Sequence, residues 1–258
     1  THIPAVSTLL GILADRGIGV DGSAFRGAFG SQSEALQSIS RRFGDRVGYD
    51  NEQAAGYYRE RLDRIFPTDY PVLFWLRQVL ELHPLERIFE VGGHVGVAYY
   101  SYPRYIAIPK ETIWEINDVP SVCQEGRRLA NERGATNLRF TSNLADGNGA
   151  SLIFGSGSCQ YLDRSVPEVL SSFDSQPASV LINMLPVTND GSFFTIQNIG
   201  VSHCAYRVQS RKELLMGFDR LGYSLVDSWE NPEKKCRILG RPDLSLDHYE
   251  GFFFRTRR

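Results

Sequence analysis

The stretch RIFEVGGHVGVAYY, residues 87–100, decides how this chain is to be read. An apolar run, RIFEV, leads into three glycines within five positions, Gly92, Gly93 and Gly96, and a possible helix with a tyrosine pair follows. A strand, a glycine turn and a helix in that order form the entry to an α/β unit. Glycine permits positive φ and close approach of the backbone to a ligand. A plain tight corner uses the same residues, so the surrounding segments must decide between the two.

After residue 86, short apolar runs alternate with helical stretches. Strands are expected at 87–91, 112–117, 138–142, 151–155 and 179–185, and helices at 121–133 and 165–174. Such alternation argues for a parallel sheet with helices on both faces. The segment SFFTIQNIG, a helix at 210–221 capped by Ser210, and strands at 223–229 and 251–256 complete the pattern. The last two strands are expected to pair antiparallel.

Residues 1–80 read as helical. Leu9, Leu10, Ile12 and Leu13 recur at helical spacing, as do Ala35, Leu36, Ile39 and Phe43. NEQAAGYYRERLDRIF is a third candidate with Asn51 as N-cap, and Tyr70 to Leu82 a fourth with Pro71 in its first turn. The expected organisation is a helical cap over 1–80 and an α/β domain over 81–258.

A chain of 258 residues holds enough core to fold alone. A formal charge of −2 offers no broad cationic field, so neither nucleic acid nor an acidic membrane is an expected partner. Cys123, Cys159, Cys204 and Cys236 stand far apart without CxxC or zinc spacing and read as reduced thiols of a cytosolic protein. No apolar stretch reaches membrane-spanning length, and no basic-then-apolar leader pattern opens the chain.

The second expected strand ends in WEINDVP, where Asp118 could accept both ribose hydroxyls of a nucleoside. A dinucleotide site would want G-x-G-x-x-G with a helix N-terminus on the pyrophosphate. Gly92-Gly93-His94-Val95-Gly96 does not fit that spacing. Preceded by Glu90, the turn reads E-x-G-x-H-x-G. This resembles the first motif of class I S-adenosylmethionine-dependent methyltransferases, acid-x-G-x-G-x-G, with His94 in place of the middle glycine.

The resemblance runs on through WEINDVPSVCQEGRRLA, FGSGSCQYL, TIQNIG, AYRVQSRKEL and LGYSLVDSWEN, in that order, and covers most of residues 45–256. It points to a little-characterised branch of that superfamily met in bacterial surface-polysaccharide and natural-product gene clusters. The resemblance implies a Rossmann-like, mostly parallel seven-stranded sheet under the helical cap, with S-adenosyl-L-methionine as cofactor. It implies that Glu90, Gly92, Gly93, His94 and Gly96 lie along the methionine and ribose, and that Asp118 holds the ribose hydroxyls. Asn143 or Leu144 would meet adenine, and Ser156 would line the methyl-transfer site with Gln160 and Tyr161.

Methyl transfer needs a nucleophile held in line with the S–CH3 bond, and a hydroxyl must also lose a proton. His203, after TIQNIG, is the expected base, because an unperturbed histidine titrates near neutral pH. Tyr57, Tyr58, Tyr99, Gln197, Tyr206 and Arg207 complete the expected substrate contacts, with Tyr57 or Tyr58 on a lid and Arg207 suited to an anionic group. No paired-carboxylate or His/Asp metal cluster stands out, so no metal is expected. The expected activity is O-methylation of a small molecule. A Rossmann oxidoreductase and a non-catalytic nucleoside-binding protein are the alternatives, and the oligomeric state, a homodimer included, is left open.

Overall fold

The computed structural model describes residues 24–44, 47–50, 61–82 and 85–257. In chain order come β1 (Ala24–Phe29), α1 (Gln32–Phe43) and α2 (Tyr70–Leu82). Then follow β2 (Arg87–Val91), α3 (Val97–Ser101), β3 (Ile113–Asn117), α4 (Pro120–Arg133), β4 (Leu138–Thr141) and β5 (Leu152–Ser156). Next are α5 (Val166–Leu170), β6 (Ser179–Leu185), β7 (Val187–Thr188), β8 (Phe193–Asn198) and β9 (His203–Ser210). The last elements are α6 (Arg211–Arg220), β10 (Tyr223–Asn231), β11 (Ile238–Leu239) and β12 (Tyr249–Thr256).

Seven strands form the main sheet in the order β10-β12-β6-β5-β2-β3-β4. The pairs β2–β3, β3–β4, β2–β5 and β5–β6 are parallel, while β12 runs antiparallel to both β6 and β10. From β2 the chain moves outward to β4, then returns to β5 on the other side of β2. That reversal opens a crevice at the carboxyl ends of β2 and β5, where open α/β sheets bind ligands. β12 is buried on both faces. Phe253 packs in the cluster with Trp114, Phe154 and α2, and Phe252 and Phe254 pack in the cluster with α5 and α6. Trp75 of α2 stacks on Phe253 with ring centroids 4.6 Å apart.

The expected helix over residues 70–82 is α2, whose Val72, Leu73, Leu76 and Val79 are buried. Each such side chain contributes roughly 1.5–3 kcal/mol by leaving water. The expected cap on α6 is also observed: Ser210 accepts from the N–H of Glu213.

Two expectations need correction. Residues 24–29 form a strand, so the stretch before residue 80 is not wholly helical. Phe25 and its neighbours gain backbone partners on both sides, from β8 and β11, which local spacing could not reveal. β9 was not anticipated as a strand either; it lies between β8 and β7 and is buried along most of its length. These strands make a second, five-stranded sheet in the order β11-β1-β8-β9-β7. The first expected helix and most of NEQAAGYYRERLDRIF, with Tyr57 and Tyr58, lie outside the described residues.

Candidate active site

The crevice at the carboxyl ends of β2 and β5 is a cleft of about 920 Å3. Its first wall is the glycine turn. Gly92 has φ +67 and a Cβ there would fall 2.3 Å from the Cβ of Ser158; at Gly93 it would fall 2.4 Å from Cδ of Glu90. The turn therefore accepts no side chain at either position. His94 takes φ 53, a left-handed conformation uncommon for a residue with a side chain. Its backbone N–H donates to Oδ2 of Asp118 at 2.9 Å, which ties the turn after β2 to the end of β3. The N–H of Gly92 donates to the carbonyl of Asn117 at 2.7 Å, and Ser158 Oγ donates to the carbonyl of Val91. Three strand ends are thus locked around one turn.

Three carboxyl groups face this wall. Glu90 is buried, with Oε2 accepting from Trp114 Nε1 at 2.7 Å, and burial pushes its pKa up to about 8. Asp118 accepts backbone N–H groups on both oxygens, from His94 and from Val119 at 2.8 Å; burial still pushes it up to about 6. Asp69 accepts from the N–H of Phe66 at 2.7 Å and from the Tyr102 hydroxyl at 3.1 Å, and burial raises it above the usual carboxylate range. Three acids held this way suit a cationic, hydroxyl-rich ligand. Each Asp118 oxygen keeps a lone pair beyond its backbone bond, enough for two hydroxyl donors.

The opposite wall comes from the second sheet, the turn after β5 and the first residue of β12. Phe25, Gln160, Tyr161, Gln197, Tyr206 and Tyr249 line it. The Tyr161 hydroxyl donates to Oε1 of Gln197 at 2.7 Å, and the Tyr206 hydroxyl to that of Tyr249 at 2.9 Å. Met184 of β6 completes the floor at φ 52, a strained conformation for a methionine. Arg61, Arg64, Lys234 and Lys235 lie on the cleft rim.

The expected residues divide as follows. Glu90, Gly92, Gly93, His94, Asp118, Leu144, Ser156, Gln160, Tyr161, Gln197 and Tyr206 line the cleft together. Gly96, Asn143, Tyr99, Arg207 and His203 do not. Gly96 is the N-cap of α3 at φ 102 and faces Tyr100 and Leu138. The Asn143 side chain caps its own turn, accepting from the N–H of Ala145 at 3.2 Å. The Tyr99 hydroxyl donates to Asn137 at 2.6 Å. Arg207 lies over the Phe194 ring and donates to the carbonyl of Asp163. His203, expected as the base, is stacked on Phe43 with centroids 3.6 Å apart and an interplanar angle of 7°. It opens β9 at the outer end of the second sheet, opposite Asn198, where α1 covers it.

Sequence reasoning missed Phe25, Asp69, Ser158, Met184 and Tyr249. Asp69 had one readable sign, the FPTD turn just before a helix. Phe25 and Tyr249 had none, since they reach the cleft from opposite ends of the chain. Among the described residues no His/Cys/Asp/Glu group could hold a metal ion, and no helix is long and apolar enough to cross a membrane.

No protein-family model matches the sequence, and no curated protein matches it. Among solved structures, the chain is similar to a protein assigned as a sarcosine dimethylglycine methyltransferase from Galdieria sulphuraria. That match has 11% identity and a TM-score of 0.50, and covers 86% of this chain and 98% of that one. A second similar structure is a 1,6-didemethyltoxoflavin-N1-methyltransferase from Burkholderia thailandensis, bound to 1,6-didemethyltoxoflavin and S-adenosylhomocysteine. Here identity is 15% and the TM-score 0.48, with 74% of this chain and 79% of that one covered. A third is an S-adenosylmethionine-dependent methyltransferase from Clostridium acetobutylicum, at 8% identity and a TM-score of 0.48, covering 78% and 96%. At these identities the likeness is one of fold, and the Galdieria protein carries it. The chain has a methyltransferase fold.

Proposed function

We propose that this chain is an S-adenosylmethionine-dependent methyltransferase that methylates a small molecule, at oxygen. The observation that carries the reading is the His94–Asp118 bond. It holds a glycine turn with no room for side chains against a two-lone-pair carboxylate, at the reversal point of the sheet. The residues fit such a cofactor: Asp118 for the ribose hydroxyls, Leu144 for the adenine, and Glu90 with Asp69 for the amino group. When bound, S-adenosylmethionine supplies an activated methyl group: the acceptor's lone pair forms the new bond to carbon as the C–S bond breaks and its electron pair returns to sulfur.

Ser156, Gln160, Tyr161, Gln197 and Tyr206 would then hold the acceptor. The wall they form carries no histidine or carboxylate. Its contribution is alignment and exclusion of water, and an acceptor hydroxyl would release its proton to solvent or ionise before transfer. The ordered motifs support the surface-polysaccharide and natural-product branch. Four buried free cysteines fit the reducing environment of the cytoplasm.

A calorimetric titration tests the cofactor assignment. S-adenosylhomocysteine should bind in the micromolar range, and NAD should not bind. The reverse preference would replace this reading with the oxidoreductase one.

A further inference from the structure

We propose that the cleft rim where Arg61, Arg64, Lys234 and Lys235 converge is a binding site for a phosphate or diphosphate group, carried by the molecule whose methyl-accepting end lies in the cleft. The proposal rests on the methyltransferase reading for the ligand's role as methyl acceptor, but its evidence is the rim itself.

Placement comes first. Arg61 and Arg64 stand just before the turn that holds Asp69, and Lys234 and Lys235 stand in the turn after β10. The fold brings these distant segments to one cleft. The Lys234 N–H donates to the carbonyl of Asn231 at 3.1 Å, and Asn231 is the register partner of Tyr249 in the aromatic wall. The lysine turn therefore adjoins the wall assigned to the acceptor. On the other segment the Phe66 ring orders both arginines, with the Arg61 guanidinium 4.2 Å and that of Arg64 5.8 Å from its centroid. Stacking uses the face of a guanidinium and leaves the N–H donors on its edge.

Charge comes second. Among the described residues, Arg64, Lys234 and Lys235 have no carboxylate within salt-bridge distance. By contrast, Arg77, Arg104, Arg237 and Arg257 each sit on one at the surface. The acids beside the rim cations are Asp69 and Glu233, while Glu90 and Asp118 lie at the glycine turn. Four cations thus face two acids across a concave surface, and such a surface concentrates its field. The excess suits a phosphate ester, with a charge of about −1.5 to −2 at neutral pH, better than a single carboxylate.

Proximity comes third. Lys234 is open to solvent on one side and flanked by protein on the other. That partial burial, and next the Arg61 guanidinium, lower its pKa below the ordinary lysine value. Two cations from different segments are therefore close enough to repel, and an anion shared between them converts the repulsion into attraction. Arg64 and Lys235 are both exposed and can reach its outer oxygens. Guanidinium forks and ammonium groups together are the donors that phosphate recognition uses.

Phosphorus-31 NMR titrations of inorganic phosphate and pyrophosphate test this on the full chain saturated with S-adenosylhomocysteine. Both should bind, and acetate, followed by its proton signal, should bind more weakly than either. The double variant Arg64→Gln, Lys234→Gln should weaken pyrophosphate by about 10-fold and leave the Kd for S-adenosylhomocysteine unchanged. Lys110→Gln with Lys212→Gln, two exposed lysines outside the cleft, should change neither. Four results would each overturn the proposal: no binding of either probe, acetate as tight as phosphate, an equal loss in both double variants, or displacement of the probes by S-adenosylhomocysteine. The last would give the cations to the cofactor's own carboxylate. If the cleft variant fails to fold, Lys235→Gln alone, at an exposed side chain, decides by the same comparison. If S-adenosylhomocysteine does not bind, the methyltransferase reading falls; the same titrations on the free protein still decide the phosphate site.

Discussion

On one side of the cleft, Glu90, Asp118 and Asp69 gather around a glycine turn; on the other, Phe25, Tyr161, Tyr206 and Tyr249 present rings and hydroxyls with no charge. The first wall is built from neighbouring parallel strands, with Glu90 and Asp118 only a strand–helix–strand unit apart. The second gathers residues from 25 to 249 through two sheets. The charged wall holds its acids in place by backbone N–H groups and an indole, while burial works against their ionisation. The aromatic wall satisfies most of its polar atoms internally. One side is poised for a cation and hydroxyls; the other is largely complete.

The largest expected effect concerns the charge stored on the first wall. Glu90 has a folded-state pKa of about 8, above its ordinary 4.5, so the folded protein binds more protons than the unfolded chain between those values. Stability associated with this group is fully present below about pH 4.5 and is lost as pH rises through about 8. Glu90→Gln removes the penalty and can still accept from Trp114. Its stability advantage over wild type should widen between pH 5 and pH 8, by on the order of a few kcal/mol. Denaturant melts at both pH values check this, and parallel pH slopes would mean that Glu90 ionises freely.

Asp118→Ala tests the same wall as a ligand site. S-adenosylhomocysteine affinity should fall by about 1.5–3 kcal/mol, the scale of hydrogen bonds to a charged group. The fold should persist, because Asp118 is a half-buried residue at a strand end and belongs to none of the hydrophobic clusters. An unchanged Kd in the folded variant would place the ribose elsewhere. Glu115, the next acid on that strand, is held by Arg87 at 2.7 Å.

Tyr206→Phe breaks the hydrogen-bond chain of the second wall. It should cost about 0.5–1.5 kcal/mol of stability and leave the S-adenosylhomocysteine Kd unchanged. A matching loss of cofactor affinity would show that the two walls are coupled.

His203→Ala should have the smallest effect on the cleft: no change in S-adenosylhomocysteine Kd and a stability loss of about 0.5–1.5 kcal/mol from the lost stacking on Phe43. A weakened Kd in a folded variant would return His203 to the site.

How far the sequence could be read follows the same division. RIFEV and SVLINML matched β2 and β6 to the residue, because buried parallel strands are short apolar runs bounded by turns. The glycine turn and Asp118 were legible because their chemistry is local to two strand ends. β1 and β9 were not. AFRGAF carries little apolar alternation beyond Phe25, and it is a strand because β8 and β11 supply its backbone partners. His203 looked like a base from its place after TIQNIG, yet β9 directs it under α1 and against Phe43.

Residue order along the chain was therefore enough for the charged wall. A strand that ends in a glycine turn and a neighbour that ends in an acid can meet in few ways once the strands are parallel. The full membership of the aromatic wall had to wait for the fold. Gln160, Tyr161, Gln197 and Tyr206 were expected together from the motif resemblance, but Phe25 and Tyr249 carry no such signal, and they joined that group only when β1 paired in the second sheet and β12 in the first.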